Sequence, residues 1–187
     1  MKKVIILLLL IFSGSSLVYS QDYTIDKGAI IISGIGSFSS RGGELFEDFE
    51  GNRLTTIMLM PTINYFVASH LFIGGGVAFT RQSQGDDSQS KIGIGPTLGY
   101  AIGQAESKNY PYLAAGIRYY SLGFVFGESM SGTDIVIGAG LIATVTENLG
   151  IIIEAGYHIM NLKYENSIKS ESGNIISVGV GVAGLIF

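Results

Sequence analysis

Large apolar residues and small or polar residues alternate along most of this chain. The segment 174–186 reads NIISVGVGVAGLI, with most of its larger aliphatic residues at every second position and Ser, Gly and Ala between them. An alternation of period two is typical of a β-strand whose two faces meet different surroundings. The same alternation recurs, between turn-rich segments, back to about residue 28. The pattern therefore predicts an all-β protein.

Eight strands are expected, each long enough at roughly ten residues or more to cross a bilayer when tilted. Their predicted ranges are 28–38, 54–67, 71–81, 91–102, 110–120, 133–145, 150–161 and 174–186. The connections alternate in length. Long polar segments are 39–53, 82–90, 121–132 and 162–173, and shorter ones are 68–70, 103–109 and 146–149. Such alternation and an even strand count are typical of antiparallel up-and-down transmembrane β-barrels of the outer membrane, with both termini in the periplasm.

The faces of individual strands agree with a barrel that has lipid outside and a small, partly polar lumen. In the second strand Ile57, Leu59 and Ile63 share one face, whereas Met60 and Asn64 share the other. In the sixth and seventh strands the aliphatic residues likewise lie opposite Gly and polar residues. The first strand is ambiguous, because three isoleucines follow one another at 30–32.

Other classes of apolar protein fit the composition less well. Only 14% of the residues are charged, but the longest apolar run, Val4–Phe12, is too short for a spanning helix. A secreted lipocalin-like ligand-binding barrel also has eight strands, yet it needs a charged exterior. The predicted strands contain too few charges to supply one on either face. This third function is therefore the least favoured of those considered.

The first twenty residues have the organisation of a secretory signal peptide. Lys2 and Lys3 precede the apolar stretch Val4–Phe12, and small residues follow as far as Ser20. We predict cleavage after Ser20, which divides the chain into a signal peptide, 1–20, and a barrel domain, 21–187. The chain has no Cys, so neither a disulfide nor a lipidated cysteine is expected.

The charge balance excludes one class of partner. The leader carries two of the eleven basic residues and no acidic residue, so residues 21–187 have nine basic against fifteen acidic residues, a net charge of about −6. A basic face for nucleic acid is therefore not expected. The predicted partners are outer-membrane lipid (lipopolysaccharide and phospholipid) and, during insertion, the barrel-assembly machinery.

Few charges fall on the predicted inner faces of the strands. They are Lys91, Arg118, Asp134 and Glu154, together with His158. Because burial of an unpaired charge is costly, these side chains are expected to pair across the lumen, with Arg118 and Asp134 as near neighbours. An ionic cluster that closes the interior is one interpretation. A gate in a narrow, porin-like solute path is the alternative, although eight strands leave an interior just wide enough for side chains.

No catalytic, cofactor-binding or metal site is predicted, and the chain is not expected to be an enzyme. His158 shares its face with Glu154, but four residues along a strand separate them by about 13 Å. The positions two residues from His158 are Gly156 and Met160, so that strand offers no Ser nucleophile. His70 lies in a predicted turn. The glycine-rich stretches lie within strands and lack the Lys of a phosphate-binding loop.

Aromatic residues on the predicted outer face form two levels, as in the interfacial girdles of membrane barrels. The level near the periplasmic rim contains Tyr65, Tyr100 and Phe187, and the level near the external rim contains Phe79, Tyr119 and Tyr157. We expect both sets to lie at the lipid interface.

Two stretches resemble a known family. The text PTINYFVASHLFIGGGV at 61–77 and YPYLAAGIRYY at 110–120 are similar to recurrent strands of the outer-membrane β-barrel domain family. The resemblance covers nearly the whole mature chain and implies a small OmpX-like or OmpA N-terminal-like, porin-like barrel without catalytic residues. In such families the apolar residues two, four and six positions before the terminal Phe share its face. Here those positions are Leu185, Ala183 and Gly181.

The favoured function is a structural or interaction role in the outer membrane, with the external loops as the contact surface. The first loop combines acidic residues at 44, 47, 48 and 50 with Phe46 and Phe49. Such a loop could bind a cation or a protein, or simply be solvated. The third loop, with Phe124, Phe126 and Met130, is unusually apolar. The ligand or partner of these loops stays open.

Overall fold

The chain folds into one closed, eight-stranded antiparallel barrel in a computed structural model that describes residues 25–41, 49–104, 107–123, 130–164 and 170–187. The predicted signal peptide lies outside the described residues. The strands are β1 (Ile30–Arg41), β2 (Leu54–Ala68), β3 (Leu71–Gln84), β4 (Asp87–Ala101), β5 (Asn109–Gly123), β6 (Met130–Thr146), β7 (Leu149–Tyr164) and β8 (Ser170–Ile186). Each strand pairs with its sequence neighbours, and β1 pairs with β8 to close the barrel.

The two ends of the barrel differ, and we name them for what they hold. The terminal end contains residue 25, Phe187 and the short connections after β2, β4 and β6. The loop end contains the connections after β1, β3, β5 and β7. The prediction of eight antiparallel strands and of this fold class is confirmed.

One predicted loop is wrong. The sequence predicts a long polar connection at 82–90, but β3 and β4 continue as a paired hairpin to Gln84 and Asp87. Only Gly85 and Asp86 form the turn, and Gly85 has the positive φ of 57° that a tight hairpin favours. Polar side chains are compatible with strand pairing where both faces meet water, so polarity alone did not mark a loop.

The outer surface is apolar around the barrel. Alternate residues of every strand leave large aliphatic or aromatic side chains exposed, among them Ile63, Leu98 and Ile137. In β1 the alternation resolves the ambiguous isoleucines, because Ile31 is buried and Ile32 is exposed. None of the described residues forms a helix that is long and apolar enough to cross a membrane.

Apolar side chains fill the interior of the terminal end. The main members of this apolar layer are Ile25, Phe66, Phe72, Tyr110 and Leu185, all at most 6% exposed. The rings of Phe66 and Phe72 lie 5.5 Å apart. A glycine on the neighbouring strand makes room for one of these rings, because a Cβ at Gly99 would overlap the Phe72 ring. Glycine therefore serves here for close approach, as expected in a strongly curved sheet.

Candidate functional site in the barrel interior

A polar cluster lies above the apolar layer, on the loop-end side of the lumen. It brings together three of the five predicted lumen residues, namely Arg118, Asp134 and His158. All three are buried, and Asp134 is 0% exposed. We call these residues, together with Ser177, the lumen polar cluster.

Asp134 is the centre of this cluster. Its Oδ2 lies 2.9 Å from Nδ1 of His158 and 4.0 Å from NH1 of Arg118. Arg118 is the direct register partner of Asp134 on β5. Its guanidinium also donates a hydrogen bond to Sδ of Met60, at 3.7 Å, and so connects β5 with β2. Oδ2 of the buried carboxylate thus has a nearby cation and a direct hydrogen bond, whereas Oδ1 has no hydrogen-bond partner among the described residues.

Ser177 completes the cluster from β8. Its Oγ lies 2.9 Å from Nε2 of His158. A carboxylate can only accept hydrogen bonds, so we assign the imidazole proton to Nδ1, which donates to Asp134. Nε2 then accepts the hydroxyl proton of Ser177. His158 is therefore held in one tautomer between an acid and a hydroxyl.

Strand tilt explains how three adjacent strands deliver these residues to one place. The register partner of Asp134 on β7 is Met160, and His158 lies two residues nearer the terminal end. The register partner of His158 on β8 is Ile175, and Ser177 again lies two residues nearer the terminal end. Steps of two keep the side chains on the lumen face, and such diagonal neighbours lie within reach of long side chains.

The other two predicted lumen residues do not join the cluster. Glu154 accepts a hydrogen bond of 2.5 Å from the hydroxyl of Tyr112, nearer the apolar layer. On β4, the register places Gly95 opposite Arg118. Lys91 lies four residues from Gly95 towards the loop end, a distance of about 13 Å along the strand. The expected five-membered cluster is therefore two separate groups and a distant lysine, because the stagger of the strands separates residues that share a face.

Two participants were missed by reasoning from the sequence. In the sequence, Ser177 is one of the small residues between the aliphatic positions of 174–186, and no partner is predicted for Tyr112. A search confined to the strand of His158 could not find Ser177, since the hydroxyl comes from the neighbouring strand. The available signal was the shared face: Asp134, His158 and Ser177 all fall on the lumen side of consecutive strands.

The predicted interface aromatics divide into two groups. Five of them, Tyr65, Phe79, Tyr100, Tyr119 and Tyr157, are exposed on the outer face. Phe187 differs from the expectation, because it packs against the buried apolar residues at the terminal end. It has the parity of Leu185, which is 1% exposed and points inward.

Little of the predicted loop surface is described. Phe49 is fully exposed beside Glu50, and Gln84 anchors the segment by donating a hydrogen bond to the carbonyl of Asn52. The other predicted residues of the first loop, Glu44, Phe46, Glu47 and Asp48, lie outside the described residues, as do Phe124 and Phe126 of the third. Within the described ranges, no group of three or more His, Cys, Asp or Glu residues could hold a metal ion.

Comparison with known proteins identifies the fold but no family. No family model and no curated protein matches the sequence. Among solved structures, the outer membrane protein OprG from Pseudomonas aeruginosa aligns with 88% of this chain and 99% of its own, at 12% identity and a TM-score of 0.57. Neisserial surface protein A aligns with 84% of this chain and 97% of its own, at 17% identity and a TM-score of 0.54. The chain is thus similar in fold to small eight-stranded outer-membrane barrels.

Proposed function

We propose that this protein is an integral barrel of the bacterial outer membrane with a structural or interaction role, exported by its predicted signal peptide. The lipid-exposed face and the fold shared with OprG and Neisserial surface protein A support this location. The loop end then faces outward and both termini face the periplasm, as the short connections at the terminal end suggest. Lipopolysaccharide and phospholipid are its surroundings, and the barrel-assembly machinery inserts it.

The observation that carries the proposed role is the filled interior. The apolar layer closes the terminal end, and the interior cavity between this layer and Arg118 has a volume of about 60 Å³. Such a volume holds only a few water molecules. This favours a scaffold over the alternative, a narrow solute path gated by lumen charges. On this proposal, contacts with other molecules are made at the loop end, where Phe49 and the β3–β4 hairpin are exposed.

Conductance distinguishes the scaffold from the channel. The refolded protein in a planar bilayer should produce no discrete current steps, with insertion verified by heat-modifiable gel mobility. Arg118→Ala and Glu154→Ala provide the comparison, because each removes a lumen charge. Reproducible steps in the wild type that change in either variant would contradict the scaffold and support the channel.

Orientation can be tested with single cysteines, since the chain has none of its own. Asp86→Cys is placed in the exposed hairpin turn at the loop end, and Glu147→Cys in an exposed turn at the terminal end. When the protein is expressed in a two-membrane bacterium, a membrane-impermeant maleimide should label the first variant on intact cells and the second only after lysis. The reverse pattern would overturn the orientation. If neither variant is labelled on intact cells, the surface location is overturned.

A further inference from the structure

We propose that Ser177 is an activated nucleophile that accepts acyl groups from carboxylic esters, with His158 as its general base and Asp134 as the residue that orients the base. This activity goes beyond the scaffold role. The required signature is a nucleophile within hydrogen-bond reach of a base that a third group orients. Both hydrogen bonds of the series Ser177–His158–Asp134 measure 2.9 Å.

A glycine on β7 faces the nucleophile and its base. Gly156 is the register partner of Ser177, and a Cβ at Gly156 would have Ser177 Oγ and His158 Nε2 as its nearest neighbours, at 3.1 and 3.3 Å. Both distances are shorter than ordinary van der Waals contacts, so glycine at this position lets the Ser177–His158 pair form without a clash. A side chain at this position would press on both reacting atoms.

Ser177 can be reached from the loop end. The next lumen-side residue towards the loop end, Ile175, is 49% exposed, and a Cβ at Gly173 would meet no atom of the described residues within 4 Å. The terminal end, by contrast, is closed by the apolar layer. A small ester would therefore enter and its products would leave through the same mouth.

A second approach lies in the barrel wall. The β1–β8 ladder runs from Ile30–Ile186 to Gly36–Val180, and in the described parts of the two strands no pair continues it towards the loop end. Ile176 and Val178, beyond this point, are 78% and 64% exposed. We call the unpaired boundary between β1 and β8 beyond Gly36 and Val180 the seam. A lipid ester in the outer leaflet could reach Ser177 through this seam. The shared chemistry is a carboxylic ester, and the source is decided by experiment.

The seam also offers a donor for the negative charge that develops on the substrate oxygen. The N–H of Leu185 points to β7, since it donates to the carbonyl of Asn148. Along an antiparallel strand, the N–H groups of successive residues point alternately to the two neighbouring strands. The β7–β8 register is uninterrupted, so the N–H of Val178 points to the other neighbour, β1. In the described part of the chain, the β1–β8 ladder ends before Val178, so this N–H lies outside the ladder and next to the nucleophile. An N–H in that position can stabilise an oxyanion.

The reaction balances as an ester hydrolysis. Ser177 Oγ bonds to the acyl carbon while its proton passes to Nε2 of His158, and the alcohol leaves with that proton. Water then attacks the acyl-serine and gives its proton to Nε2. The bond from the acyl carbon to Oγ breaks, Ser177 regains the proton, and the carboxylic acid is released.

The test is covalent labelling of the full-length refolded protein by a fluorophosphonate, followed by peptide mass spectrometry. We expect an adduct on Ser177 that is absent in Ser177→Ala and forms at least tenfold more slowly in His158→Gln and Asp134→Asn. Ser33→Ala is the matched control, because Ser33 is a buried lumen serine that hydrogen-bonds Thr62 and no histidine. It should label at the wild-type rate, and heat-modifiable mobility verifies folding of each variant.

Two substrates then distinguish the sources. Faster release from p-nitrophenyl acetate indicates entry by the mouth, and release from a fluorogenic phospholipid in vesicles indicates entry by the seam. The proposal is overturned if the folded wild type gives no Ser177 adduct, or if the adduct forms at the same rate without His158. In either case the lumen polar cluster is structural only.

Discussion

Removal of the hydroxyl of Tyr112 should destabilise the barrel, although the substitution leaves the ring in place. The hydroxyl donates to Oε2 of Glu154 at 2.5 Å, and Tyr112 is only 6% exposed. Hydrogen bonds to charged groups contribute about 1.5–3 kcal/mol, and loss of the hydroxyl leaves the half-buried carboxylate of Glu154 without this donor. Tyr112→Phe should therefore lower the free energy of unfolding by about 2 kcal/mol.

The expected shift is large enough to measure in urea. With a denaturant dependence of about 2 kcal/mol per M, a loss of about 2 kcal/mol moves the unfolding midpoint down by about 1 M. The chain has no Trp, so unfolding of the protein in vesicles is best followed by circular dichroism and gel mobility. Tyr119→Phe is the matched control, because Tyr119 lies on the same strand but is 54% exposed on the outer face.

A double-mutant cycle with Glu154→Gln isolates the pair. If the hydrogen bond carries the effect, the loss in the double variant is smaller than the sum of the two single losses. Equal midpoints for Tyr112→Phe and Tyr119→Phe would refute the reasoning. Strict additivity in the cycle would show that the two side chains act independently.

Three other predictions concern packing, lipid contact and the hairpin. Gly99→Ala should destabilise the barrel by about 1–3 kcal/mol in urea titration, because its Cβ would overlap the Phe72 ring. Gly34→Ala is the control and should leave the stability unchanged, since a Cβ there meets no atom of the described residues within 4 Å. Ile137→Lys should cost about 2–4 kcal/mol in vesicles if its outer face meets the middle of the bilayer; an unchanged midpoint would contradict lipid contact. Gly85→Ala should cost about 1–2 kcal/mol because of its positive φ, measured against Gly34→Ala.

The sequence alone determined the number of strands, their direction and the face of most side chains. Period-two alternation is a local property, and the apolar requirement of the outer face repeats on every strand. This is why Arg118, Asp134 and His158 could be assigned to the lumen from their parity. The hairpin at 82–90 escaped this reasoning, because outside the apolar belt neither face imposes a pattern.

Only the tertiary structure decided which lumen residues touch one another. Parity assigns a face but leaves the register between strands open, and the register depends on how all eight strands stagger to close the barrel. Closure places Ser177 beside His158 and Tyr112 beside Glu154, and it moves Lys91 away from the charges that it was expected to join. The same closure leaves the seam between β1 and β8, a consequence of strand lengths and stagger that no local pattern in the sequence records.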